Sequence, residues 1–163
     1  MNDFNKWDYT HMMDARNWAS ISKDPSRRIG AVAVIDRNPV ATGYNGFPSR
    51  IEDKEEYLNN REFKYPRTIH AELNCIINAS KKRQSLEGSV VYIYGLPACD
   101  ACALAMIGAG VEKVIYCDLN SEGSAWTEKN RVAFELFEEA GVACVEMFKK
   151  DLDIYINKCY SGI

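Results

Sequence analysis

The sequence predicts an α/β protein, a three-layer α/β/α sandwich around a mixed five-stranded sheet. Two β-prone runs near the start are joined by turn-forming residues, and beyond them helical and strand patterns alternate. The chain has 163 residues and 47% apolar composition, enough for one hydrophobic core without covalent staples. Residues 1–163 are therefore read as a single domain.

Taken in order, Trp7 to Ser22 carries apolar residues near helical spacing and stops before Asp24-Pro25, which predicts an amphipathic helix. Ile29–Ile35 and Pro39–Tyr44 are short β-prone runs split by Asp36-Arg37-Asn38, the composition of a hairpin turn. Asn45 to Pro66 is polar and broken by Gly46 and Pro48, a loop long enough to be expected at the border of a functional site. A helix follows from His70, with Leu73, Ile76 and Ile77 on one face, then a strand at Ser89–Tyr94. Another helix begins near Cys99 and ends at Gly108-Ala-Gly110. Lys113–Cys117 reads as a strand, Thr127–Ala140 as a helix stopped by Gly141, and Val142–Phe148 as the last strand. Lys149 to Ile163 allows a terminal helix. Alternating strands and helices imply parallel pairing and a sheet covered on both faces, with the N-terminal ends of the two middle helices meeting at one sheet edge.

Composition narrows the function. Twenty Lys and Arg against 23 Asp and Glu leave a net charge of −3, which argues against a polyanion binder relying on phosphate neutralisation but leaves small anionic ligands open. Six irregularly placed cysteines suggest free thiols in a reducing compartment. Met1 to Thr10 lacks an apolar targeting core, and no stretch approaches the ~20 apolar residues of a membrane span, so a soluble cytoplasmic protein without membrane contacts is expected.

The chemistry is concentrated in Thr68-Ile-His70-Ala71-Glu72-Leu-Asn and Leu96-Pro97-Ala98-Cys99-Asp-Ala-Cys102, each opening a helix. Cys99 and Cys102, three apart on a first helical turn, face the same way, and His70 adds a nitrogen. Those are three zinc ligands with a fourth position open for water, the arrangement of catalytic rather than structural zinc. A helix N-terminus favours the thiolates the metal requires. Glu72, two residues past His70, is placed to take a proton from water acidified by the metal. Alone, Cys-x-x-Cys could be a redox motif and His-x-Glu chance; their joint occurrence at two helix starts points to a zinc hydrolase. The other cysteines Cys75, Cys117 and Cys144 read as small buried residues and Cys159 as part of an exposed tail. His11 reads as a packing or surface residue, and Trp7, Trp18 and Trp126 as core or interface anchors.

His70-Ala-Glu72 followed by Cys99-x-x-Cys102 resembles the zinc nucleobase deaminases, in which the Glu is not a ligand. Ser22-Lys-Asp-Pro25, Ile29-Gly-Ala31, Gly43-Tyr-Asn-Gly-Phe-Pro48, Lys64-Tyr-Pro66 and His70-Ala-Glu-Leu-Asn74 are similar to the blocks of the deoxycytidylate (dCMP) deaminases, in the same order, over roughly Ser22 to Phe148. The resemblance implies a cytidine deaminase-like fold and hydrolysis of dCMP to dUMP and ammonia. It also implies one catalytic Zn2+ per chain held by His70, Cys99 and Cys102, with Glu72 as proton carrier. Asn45 would contact the sugar and the Ala71 backbone the base. Arg27, Arg28, Lys64 and Arg67 flank the matched blocks, and Arg28 is the first choice for the phosphate. Homo-oligomers, commonly hexamers, activation by dCTP, inhibition by dTTP and Mg2+ accompanying the effector are implied as well. A deaminase acting on dCTP, CMP, deoxycytidine, a modified cytosine or adenine in tRNA is the alternative on the same fold. The acidic balance disfavours nucleic acid, and Glu72 disfavours a non-catalytic zinc-binding module. One departure stands out: the family usually has Pro directly before its first zinc Cys, where this chain has Ala98, with Pro97 one residue earlier.

Overall fold

The computed structural model describes residues 4–120 and 128–161. Helix α1 spans Lys6–Ala19 and is opened by a reciprocal cap, in which the Asn5 side chain accepts from the backbone N–H groups of Trp7 and Asp8 while Asp8 accepts from that of Asn5. Strands β1 (Gly30–Ile35) and β2 (Asn38–Tyr44) form the expected hairpin. Its turn is tighter than the sequence suggested, two residues, with Asp36 at φ 49° and Arg37 at φ 65°. Paired positive φ values match the right-handed twist of the strands.

Between residues 45 and 70 the chain is less irregular than expected. It forms the short helices α2 (Glu55–Leu58) and α3 (Arg61–Lys64) and a 3-10 turn, Tyr65–Arg67. These pieces are four residues or shorter and have no apolar repeat to announce them. A local signal holds α3, whose Asn60 accepts from the Glu62 N–H at 3.0 Å. There follow α4 (Ala71–Lys81), β3 (Val90–Gly95), α5 (Asp100–Gly108), β4 (Lys113–Asp118), α6 (Glu128–Glu139), β5 (Ala143–Glu146) and α7 (Lys149–Tyr160). The last strand is shorter than predicted because Phe148 already caps α7. Thr127, the expected start of α6, and Trp126 lie outside the described residues.

The sheet order is β2-β1-β3-β4-β5, antiparallel around β1 and parallel from β3 to β5, the mixed five-stranded sheet the sequence predicts. The two-residue period of β1 divides the core. Val32 and Val34 join Met12 and Ala15 of α1, Tyr92, Ile115 and Leu152 on one side. Ala31 and Ala33 join Ala71 and Cys75 of α4, Cys102 and Met106 of α5, and Phe137 of α6 on the other. The small residues of the second side let α4 lie close. A Cβ on Gly43 would come 2.3 Å from the Ala71 carbonyl oxygen, and one on Gly30 would come 2.0 Å from that of Ala15. Glycine at these positions sets the spacing between sheet and helix on each face. Two side chains of α4 complete its seating: Asn74 donates to the Tyr44 carbonyl at 2.8 Å and Asn78 to that of Thr42 at 2.9 Å. Cys75 and Cys117 are buried, Cys144 is half-buried and Cys159 exposed. His11 is buried against Tyr92. Among the described residues no helix is long and apolar enough to cross a membrane.

Candidate metal centre and its cleft

His70 and Cys99 occupy equivalent places, each being the N-cap residue of its helix with an extended backbone and no side-chain cap bond. Both side chains are therefore free to leave the helix start, and the starts of α4 and α5 face each other at the carboxyl end of β3. Cys102, buried in the first turn of α5, completes the group. His70 Nδ1 lies 3.4 Å from Cys99 Sγ and 3.5 Å from Cys102 Sγ, and all three atoms fall within 4.8 Å of one another.

The donor set fits zinc. A tetrahedral ion at ~2.3 Å from sulfur and ~2.05 Å from nitrogen separates S and N by about 3.6 Å, close to both observed distances. A single Nδ1 lone pair cannot accept from two thiols, whereas one ion satisfies all three atoms. The two sulfurs also share a negative charge. Hydrogen bonding from Cys102 and His70 holds the Cys99 thiol down to about 4, while Cys102, hydrogen-bonded to that sulfur and buried, is held up. The contact with Cys99 likewise raises His70.

Glu72 is the second residue of α4, 4% exposed, and burial pushes its carboxyl up to about 7. It opens with His70 and Cys99 onto a cleft of about 590 Å³, within the range of small-molecule sites. One wall is the Leu96–Cys99 loop. Asn130 of α6 donates to the carbonyls of Pro97 and Ala98 at 3.3 and 3.0 Å, so the position where Ala replaces the family's usual Pro is held by a bond from a distant helix. Ala71 is fully buried, and its N–H belongs to the unpaired first turn of α4.

Asn45 also lines this cleft, and its amide ties down the opposite wall. Oδ1 accepts from the Ile29 N–H at 2.8 Å and Nδ2 donates to the Arg27 carbonyl at 2.8 Å. Arg28 does not line the cleft. It borders an adjoining cavity of about 360 Å³ with Arg16 and Tyr94, which shares Arg27, Ile29 and Leu96 with the cleft, and its guanidinium reaches the Ser20 carbonyl at 3.5 Å. Arg27 lines both cavities and is the residue of the pair that reaches the cleft of the metal donors. Lys64 is buried on an ion pair with Asp24, and Arg67 donates to the Phe63 carbonyl on the surface. Arg61 and Lys129 are further cleft residues to which no sequence motif pointed, and Tyr65, from the Lys64-Tyr-Pro66 block, joins them without having been singled out. Arg61 and Tyr65 belong to the segment expected to border the site.

A sandwich whose two helix starts bring an imidazole, two thiols and a buried carboxyl to one cleft defines a hydrolase that activates water on a metal. The sequence profile described as "Cytidine and deoxycytidylate deaminase zinc-binding region" matches residues 5–118, and the chain belongs to that family, a family of zinc-dependent deaminases. An uncharacterized deaminase of Aliivibrio fischeri is 37% identical over 139 residues, 84% of this chain and 90% of that protein. The deoxycytidylate deaminase of Mus musculus is 35% identical over 161 residues, 95% of this chain and 87% of its own. The crystal structure of dCMP deaminase from the cyanophage S-TIM5 in complex with dCMP and dUMP shares the fold. Its TM-score is 0.72 at 22% identity, over 90% of this chain and all of that one.

Proposed function

We propose that this chain catalyses the hydrolytic deamination of dCMP to dUMP and ammonia. The observation that carries the proposal is the buried Glu72 carboxyl at the floor of a nucleotide-sized cleft whose metal donors are His70, Cys99 and Cys102. Deoxycytidylate deaminases matching nearly the whole chain supply the substrate.

His70 Nδ1 and the sulfurs of Cys99 and Cys102 would hold the zinc. When bound there, zinc supplies the Lewis acidity that makes a water molecule a nucleophile near neutral pH. Glu72 takes the proton of the attacking water and delivers it to the ring nitrogen N3, which leaves C4 open to attack. It then moves the second proton to the departing amine, so that one water is consumed and one ammonia released. The first-turn N–H of Ala71 reads the polar edge of the base. Asn45 keeps one amide N–H beyond its bond to Arg27 and turns it to the sugar. Arg27, rather than Arg28, meets the phosphate.

The same reading includes a cytoplasmic homo-oligomer of single-domain chains, activation by dCTP with Mg2+ and inhibition by dTTP, all supported by the family resemblance. Zinc-replete protein assayed with dCMP, dCTP, deoxycytidine and CMP tests the substrate. Ammonia release is expected to be fastest from dCMP, and none from dCMP would overturn the proposal. Saturation curves for dCMP with and without dCTP test regulation; a hyperbolic curve indifferent to dCTP would remove it.

A further inference from the structure

Asp24 stands in the wall of the cleft, on the same side as Arg27 and Asn45, and is 9% exposed. An unbalanced carboxylate there would oppose an anionic ligand. The charge that balances it comes from 40 residues away, from Lys64 at the end of α3. Its ammonium lies 3.0 Å from Asp24 Oδ1 and 3.3 Å from Ser26 Oγ, and the two side chains are 7% and 10% exposed. Lys64 does not line the cleft and reaches it only through Asp24.

The same Asp24 oxygen accepts from the N–H groups of Ser26 at 2.8 Å and Arg27 at 3.1 Å. Arg27 is thus fixed at its N–H by Asp24 and at its carbonyl by Asn45, while no carboxylate among the described residues lies within 4.0 Å of its guanidinium. The backbone is locked and the charge is left available. We propose that Lys64 is a positioning residue that sets the selectivity of the cleft for phosphorylated over neutral nucleosides, by neutralising Asp24 and holding the 24–27 turn that presents Arg27. The inference rests on the deaminase reading given above.

Lys64→Met, Lys64→Arg, Asp24→Asn and the double variant Asp24→Asn/Lys64→Met test it, with competitive inhibition by dUMP and by deoxyuridine measured against dCMP turnover. Lys64→Met exposes the ligand to an uncompensated carboxylate. It is expected to raise KM for dCMP and Ki for dUMP about tenfold, with Ki for deoxyuridine and kcat within about twofold. The double variant removes both charges and keeps an acceptor oxygen for Ser26 and Arg27, so most of the loss is recovered. Lys64→Arg keeps the charge and stays close to wild type. Parallel weakening of dUMP and deoxyuridine, or a double variant as weak as Lys64→Met, overturns the proposal. If Lys64→Met does not fold, Asp24→Asn decides: it leaves the ammonium unopposed and is expected to tighten dUMP severalfold without moving deoxyuridine. Unchanged dUMP affinity then overturns the role. Absence of wild-type dCMP turnover in the same assay would instead sink the deaminase reading.

Discussion

Replacing Glu72 by Gln keeps the side chain's shape and removes its ability to carry a proton. With the metal donors untouched, Glu72→Gln is expected to fold, retain its zinc by elemental analysis and lose about 10²- to 10⁴-fold in kcat. Full activity in that variant would end the proposed mechanism. The neighbouring arginines give a second comparison. Arg27→Ala is expected to raise KM for dCMP about tenfold or more, whereas Arg28→Ala, facing another cavity, changes it less than about twofold. Steady-state kinetics on the two variants separate them, and equal effects would contradict the assignment. At this scale the sequence was legible wherever spacing along a helix start decides the outcome, as for His70, Glu72, Cys99 and Cys102. It was not legible where the partner lies far along the chain. Asn45 bonds residues 16 and 18 positions away and Asn130 bonds residues 32 and 33 positions away, and neither leaves a local pattern.

The glycines under α1 and α4 permit a test of what each helix contributes. A methyl group at Gly43 meets the Ala71 carbonyl oxygen and the Cys75 nitrogen, so the first turn of α4 must move, and it carries Glu72, two residues past His70. Gly43→Ala is expected to cost about 1–3 kcal/mol of stability and to lower both zinc occupancy and kcat. Gly30→Ala crowds the Ala15 and Ala19 backbone of α1 instead. A similar loss of Tm is expected there, with kcat per folded molecule preserved. Thermal melts and single-concentration turnover of the two variants check this, and an active Gly43→Ala protein would show that the seating of α4 tolerates displacement. Strands and long helices announced themselves through periodicity and through the turns between them. Helices α2 and α3 did not, since a four-residue helix shows barely one turn of pattern and its stability comes from contacts such as Lys64 with Asp24.

Across the molecule, the core on both faces of the sheet is assembled, Cys102 apart, from buried residues that are not metal donors, from Met12 and Leu152 on one side to Ile93 and Phe137 on the other. Stripping zinc is therefore expected to leave a folded protein with a lower Tm. At a hundredfold excess over the dissociation constant, binding contributes about 2.7 kcal/mol, and for a chain of this length that corresponds to roughly 5–10 °C. Melting with and without chelator measures the shift, and added zinc should restore it where Mg2+ should not. An unchanged Tm would mean that the three donors do not take up the ion in the folded state.

Strand β2 forms one boundary of the sheet, where unpaired main-chain groups can recruit a strand from another molecule. Because the Asn45 N–H pairs with Ile29 on the β1 side, the carbonyls of Thr42 and Tyr44 point outward, and these are the two that Asn78 and Asn74 occupy. Toward the other end, Pro39 has no N–H to offer. The asparagines that anchor a catalytic helix thus also deny a template to incoming chains, and their joint loss should surface first as turbidity in concentrated solution.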